Sequence, residues 1–327
     1  TKIEAIRRNG SGHSSFSHGY NIDNLFENQN ASRELEVSKC NQNKELKISL
    51  DATSHQDYSN TQENLGLEWS EEMAIQEFPT NAVGEIHFIN EDEGSIKPSK
   101  YIRLSDTTSM EMVKTLLLDY WSIFKPNRPH LALSLVGGAK NFRLEGRKKE
   151  TFKDGLISVA KSTNALILTG GSNTGAMKLV GDAVRDGQYM IQDNGKMTRG
   201  IKLLALCSWG YIKDHPSLIN ADMNDFHQCR YNANIETRAG DGNTPLNGDH
   251  THFIMVDDGS RYRFFGKSTD FITRFENMVR SPDGLGLPIV TILLEGGKEA
   301  LRIVKERLKV GIACIVIEGS GRAADIL

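Results

Sequence analysis

The residues best placed to do chemistry are glycines and small polar residues that recur where strand-like apolar runs stop. LSLVGG ends at Gly138, LILTGG at Gly171, FIMVDDG at Gly259, TILLEGG at Gly297 and CIVIEGSG at Gly321. In open α/β sheets ligands bind beyond the carboxyl ends of the strands, where glycine admits close backbone approach and helix N-termini favour negative charge. Such stops along one sheet edge predict a phosphorylated nucleotide as ligand. The candidate binding groups are Gly138-Ala139-Lys140, the turn Thr169-Gly170-Gly171-Ser172-Asn173-Thr174, the pair Gly296-Gly297, and Gly321-Arg322. Ser172, Asn173 and Thr174 add donors at a helix start, and the Arg322 guanidinium can fork onto phosphate oxygens. Taken singly, each turn also reads as a tight connection, because no segment satisfies GxGxxG or GxxxxGK[ST] in the required strand-to-helix context.

Acidic residues share this edge. Asp257, Asp258, Glu295 and Glu318 would repel a pyrophosphate unless they accept ribose hydroxyls, cap local N–H groups or hold a divalent cation; ribose contacts or capping are expected here. His250 and His252 have HxH spacing, but no further Cys or His lies suitably near, so a structural role is expected and no metal site. A GxSxG elbow is absent, and nothing in the sequence requires a nucleophile or a catalytic base.

The elements that must carry these turns follow from periodicity. Tyr101–Ser105 is a short strand, and Thr108 or Ser109 caps a helix through Phe124 that Pro126 ends. Leu131–Val136 is continuously apolar, as a central parallel strand covered on both faces requires. A basic helix over 147–161, a strand over 165–168 and a helix over 175–185 complete a βαβ unit. Gly200–Cys207 supplies another strand. A long polar insert follows at about 208–249, and so long an irregular stretch inside a compact domain is usually functional or mobile. The alternation resumes with strands at 252–256, 288–294 and 312–317, helices at 271–279 and 299–308, and a last helix starting at Arg322. The fold class is therefore α/β, a Rossmann-like doubly wound parallel sheet with helices on both faces.

Composition sets outer bounds. The chain has 327 residues, 38% hydrophobic and 25% charged, with formal net charge −3, as an ordinary soluble protein would, and this gives no general drive towards nucleic acid. No run approaches the roughly 18 apolar residues of a membrane span. Four cysteines stand far apart, and Cys207 and Cys314 lie inside apolar runs, where they read as buried small hydrophobes in a reducing, cytosolic setting. Residues 1–77 are rich in Asn, Ser, Gln and His, so they are expected to be a flexible arm preceding a domain over 78–327. The chain stops shortly after a helix begins at Arg322, so it is expected to be a piece of something longer.

LALSLVGGAKNFRL, ALILTGGSNTGAMKLVGDAVRD, HTHFIMVDDG, PIVTILLEGG and IVIEGSGRAADIL resemble, in the same order, the N-terminal cytosolic homology regions of melastatin-type transient receptor potential channels. The resemblance covers about 78–327, and the GGAKNF and TGGSNTG turns are most similar to the family's ADP-ribose-gated branch. It implies a SLOG-type Rossmann-like domain that senses ADP-ribose or a related nucleotide at the cytosolic face of a homotetrameric, calcium-permeable channel, expected at the plasma membrane. No further cofactor is implied, and calcium would act elsewhere in the channel. Related SLOG enzymes, the phosphoribohydrolases, carry PGGxGTxxE where this chain has LEGGKEALRI. Ile303 stands in place of their catalytic glutamate, so the resemblance implies binding without turnover; a nucleotide-processing enzyme and a purely structural assembly module are the alternatives. The family's pocket includes the Arg of GSGR, here Arg322, and a Tyr and an Arg that fall at Phe265 and Ile272. Stacking at Phe265 is retained while one phosphate cation is lost; Arg274, Arg263 or Lys267 could supply the charge from another angle.

Overall fold

The structure is a computed structural model, and it describes residues 82–89, 98–138, 144–193, 196–220, 227–236, 242–262 and 269–327. The expected arm over 1–77, together with Ala139, Lys140, Arg263, Phe265 and Lys267, lies outside the described residues.

Continuous apolar runs become the middle of the sheet. In chain order the strands are β1 (Val83–Phe88), β2 (Ser99–Ser105), β3 (Ala132–Gly137), β4 (Leu166–Thr169), β5 (Met190–Asp193), β6 (Lys196–Arg199), β7 (Lys202–Ser208), β8 (His227–Tyr231), β9 (His252–Asp257), β10 (Ile289–Leu294) and β11 (Ala313–Val316). Nine of them form one sheet in the order β11-β10-β3-β4-β7-β9-β2-β1-β8, and β5 and β6 form a separate antiparallel hairpin. From β11 to β2 every pair is parallel; β1 is antiparallel to β2, and β8 runs alongside β1. The chain moves outward from β3 through β4, β7 and β9, then returns to place β10 on the other side of β3. The order therefore reverses between β3 and β10, which is the switch point at which such sheets open a crevice.

Among the described residues six α-helices pack on this sheet: α1 (Met110–Thr115), α2 (Gly146–Ser162), α3 (Gly175–Gly187), α4 (Thr269–Arg280), α5 (Lys298–Lys309) and α6 (Arg322–Ile326). Alternate strand residues point to opposite faces. Leu166 and Leu168 join a cluster with Val113 of α1 and with Phe271, Phe275, Met278 and Val279 of α4, which recur at helical spacing. Ile167, Leu133 and Ile292 face the other way, against Phe152 and Leu156 of α2 and Met177, Val180 and Val184 of α3. Val136 and Leu293 meet Ala300 and Val304 of α5 and Ala324 of α6. Helices thus cover both faces, as the apolar patterning predicts.

Three expectations are corrected. The first helix does not run regularly to Phe124: Ser109 caps it by accepting a hydrogen bond from Met112 N at 3.4 Å, but the regular turns end at Thr115 and Leu116–Tyr120 continues as a π-helix. Cys314 is half-buried rather than buried, because β11 is an edge strand. The polar insert is not wholly irregular: it contributes β8 and lays Trp209, Ile212, Leu218, Cys229, Tyr231 and Leu246 against Ala205, Cys207, Phe253 and Met255. Among the described residues no helix is long and apolar enough to cross a membrane.

Candidate functional site

Four parallel strands, β11, β10, β3 and β4, bring their carboxyl ends side by side, and with them the turns at Gly138, Gly171, Gly297 and Gly321. The crevice at the switch point is floored by the β3 and β10 turns. A Cβ at Gly138 would collide with Oε2 of Glu295, and one at Gly297 would stand 2.8 Å from an Arg322 guanidinium nitrogen. Glycine is needed at both positions so that these two side chains can lie across the backbone. Gly138 N donates to Leu294 O at 3.2 Å, joining the two turns directly.

Glu295 and Arg322 face one another there. Both are non-glycine residues in the left-handed region, with φ of 56° and 47°, a conformation that costs on the order of 1–3 kcal/mol and persists only where the surroundings over-determine it. The clamp on Glu295 is explicit: its N–H donates to Ser320 Oγ at 2.8 Å, and its carbonyl accepts from Ala324 N at 2.9 Å. Its side chain is only 7% exposed, whereas that of Arg322 is 61% exposed. Arg322 comes no closer than 3.6 Å to Glu295 Oε1, which leaves its fork turned to solvent. Glu295 Oε2 is buried and has no hydrogen-bond partner among the described residues. The 12-residue α5 begins at Lys298, beside this pair, with Gly297 as a cap that has no side chain. Its first amides lack intrahelical partners and carry the positive end of the helix dipole.

Lys148, which sequence reasoning missed, comes from the start of α2. A Cβ at Gly319 would collide with its Nζ, so the ammonium lies over the β11–α6 turn that leads into Arg322. The first turn of α2 holds no acidic residue, only Arg147, Lys148 and Lys149, the reverse of what its dipole favours. No local spacing signals this approach; only the fold does.

The TGGSNTG turn is built differently from the expectation. Gly171 takes φ of 74°, and a Cβ there would stand 2.6 Å from Ala205 Cβ, so the glycine serves strand packing. Gly171 N donates to Thr169 Oγ1 at 2.9 Å, and Gly171 O accepts from Asn247 N at 2.9 Å. Asn173 donates through Nδ2 to Ala233 O at 2.8 Å and accepts from Asn247 Nδ2 at 3.0 Å. Ser172 is buried and accepts from Thr174 Oγ1 at 3.2 Å. These side chains tie the turn to the insert, while Gly170 is half-buried beside them.

Beneath that turn lies His250, fully buried. Its Nδ1 faces the acceptor Asn247 Oδ1 at 2.9 Å and so carries the proton; Nε2 then accepts from the Thr169 hydroxyl at 2.7 Å. Burial holds this imidazole's pKa down to about 3, keeping it neutral. His252 is also held well below its ordinary value by burial, and its ring meets Trp121 at 5.0 Å, whereas His250 meets Phe253 at 5.4 Å. The two imidazoles thus pack into different clusters.

The remaining acidic turn is engaged locally. Asp257 pairs with buried Arg103, whose Nε and Nη2 lie 2.9 and 2.5 Å from Oδ2, and its Oδ1 caps Gly259 N at 3.0 Å. Asp258 caps Ser260 N at 3.0 Å. Arg274 is directed to the carbonyls of Thr108 and Asp106 and to Asp270, away from the switch point, and Ile272 packs against the core. Arg274 therefore does not replace the cation lost at Ile272. A cavity of about 430 Å³ lies at the far edge of the sheet against His87, Phe88, Ile89, Gln228 and Arg230, away from the glycine turns of β3, β10 and β11.

This architecture has close relatives. Residues 99–327 match the family model described as SLOG in TRPM. The chain belongs to this family. It is 36% identical over 269 residues to transient receptor potential cation channel subfamily M member 2 of Mus musculus, covering 80% of this chain and 17% of that protein. It is 37% identical over 268 residues to the member-like 2 protein of Nematostella vectensis, covering 80% and 16%, and 33% identical over 267 residues to member 7 of Rattus norvegicus, covering 80% and 13%. The chain thus spans less than a fifth of the length of these channels.

Proposed function

We propose that this chain is the cytosolic ligand-sensing and assembly domain of a calcium-permeable cation channel, and that it binds ADP-ribose or a related nucleotide at the β3/β10 switch point without turning it over. The observation that carries this reading is the convergence of Gly138, Gly296, Gly297, Gly321, Lys148 and Arg322 on one crevice beside the α5 N-terminus. The two cations and the helix amides suit a diphosphate, and the glycines leave room for its approach. Ala139 and Lys140, which follow Gly138 in the sequence, and Phe265, as a stacking face for a base or sugar, are further proposed ligand groups. Thr169, Gly170, Gly171, Ser172, Asn173 and Thr174 shape the neighbouring wall through the insert.

Absence of turnover is supported by α5. Ile303, at the position of the hydrolase glutamate, is partly buried against the apolar cluster that includes Val136 and Leu293, and Glu299 is paired with Arg302 at 2.9 Å. The pore and any calcium site would belong to other parts of such a channel, and the partners proposed for this domain are the other domains and subunits of a homotetramer, at the cytosolic face of the plasma membrane. An assembly module without a ligand is the second reading, favoured by the hydrogen bonds that bind the TGGSNTG donors to the insert. Calorimetric titration with ADP-ribose separates the two. Arg322→Ala is expected to weaken binding by about 1.5–3 kcal/mol, the scale of a charge-assisted hydrogen bond; an unchanged affinity would remove Arg322 from the site.

A further inference from the structure

We propose that Glu295 is the sugar-recognition residue of this crevice, its Oε2 accepting a hydroxyl of a pentose bound over Gly138; this rests on the nucleotide-binding reading above. A buried carboxylate oxygen without a donor is costly, and nearly all such atoms in folded proteins are satisfied. Glu295 Oε2 is one of four described buried side-chain atoms without a partner, and of these it alone lies at the switch point and belongs to a carboxylate. The backbone strains to hold it there. Glu295 sits at φ of 56°, fixed by Ser320 Oγ on its N–H and Ala324 N on its carbonyl, so the carboxylate is aimed before any ligand arrives. The facing position, Gly138, has no side chain, and Oε2 lies in the place where a Cβ there would stand.

The alternatives for this carboxylate fit less well. As the counter-ion of Arg322 it would come within hydrogen-bond range, but the closest approach is 3.6 Å and involves the other oxygen, Oε1. As a metal ligand it would have carboxylate or imidazole neighbours, and the described residues hold no group of three such side chains. What satisfies a lone acceptor near Arg322, with Lys148 over the adjoining β11–α6 turn, is a molecule with hydroxyl donors next to anionic oxygens. A sugar phosphate has that pattern: hydroxyl on Glu295, phosphate on Arg322 and Lys148.

The test uses two probes, ADP-ribose and inorganic pyrophosphate, the second having the charge but no hydroxyl. Each is titrated into the purified chain and into Glu295→Gln, with melting of the unliganded proteins recorded in parallel. Expected is a loss of about tenfold or more in ADP-ribose affinity for the variant, pyrophosphate affinity unchanged or improved, and a melting temperature equal or higher because an unpaired buried charge has gone. If the Gln variant does not fold, Glu295→Asp, which keeps the charge but withdraws it, is expected to show the same selective loss. Equal losses for both probes would overturn the proposal by making Glu295 a positioning residue for Arg322. ADP-ribose affinity within twofold of the parent would overturn it while leaving the binding reading intact. If pyrophosphate binds neither protein, the ADP-ribose ratio decides alone. No binding of ADP-ribose to the parent chain would overturn both.

Discussion

Replacing His250 with Gln isolates the acid sensitivity built into the wall of the crevice. His250 is neutral in the fold because burial depresses its pKa from 6.5 to about 3. The unfolded chain therefore binds a proton near 6.5 that the folded chain refuses. The stability His250 contributes is complete above that value and is lost as pH falls from about 6.5 towards 3. Between about pH 7 and 5 the proton-linkage expression gives a loss of about 2 kcal/mol from this one side chain. Other groups also shape the acid response. His252 is depressed by burial and adds in the same direction, whereas Asp249 and Asp106 are raised, chiefly by burial, and act oppositely. Total acid sensitivity is thus a poor readout, and the comparison with His250→Gln is the informative one. Urea unfolding followed by tryptophan fluorescence at several pH values gives each protein's slope, and the variant's own stability near neutrality drops out. The wild type should lose about 2 kcal/mol more than the variant over this range. Equal slopes would refute the neutral Asn247–His250–Thr169 arrangement.

Gly171→Ala should destabilise the domain by about 1–3 kcal/mol in a thermal melt, since it combines a left-handed backbone with a Cβ set against Ala205. Behind the crevice, Arg307 pairs with Glu276 through Nη2 and at 3.1 Å through Nε, and reaches Ser134 and Thr291 on β3 and β10. Glu276→Ala should cost about 3–5 kcal/mol by stranding a buried cation, and the Glu276→Met, Arg307→Met double variant should recover most of it; a double variant no more stable than the single would contradict that account.

The sheet was readable where burial erases alternation. β3, β4, β9 and β10 announce themselves as apolar runs stopped by glycine, because a strand covered on both faces has no polar side to show; β11 carries the same signal although it is an exposed edge strand. β1 and β8 were not readable. HQCRY alternates polar and apolar weakly and, among the described residues, pairs only with β1, whose Gly84 permits an approach to His227 that any Cβ would block. The TGGSNTG turn was correctly placed at a helix start, but the direction of its side chains is set by Ala233, Pro245 and Asn247, contacts 60 or more residues away that no local pattern encodes. For Glu295 the sequence predicts a ribose contact or a capping role; its burial against Gly138 emerges only when β3 and β10 become neighbours. Lys148 likewise reaches the site by topology alone.

Calorimetric titration of the purified chain with ADP-ribose, followed by chromatography of the same mixture after prolonged incubation, tests the central claim most directly. The account predicts saturable binding that Arg322→Ala weakens at least about tenfold, with the ligand recovered intact. Absence of binding would leave only an assembly module, and appearance of ribose phosphate or AMP would show an enzyme.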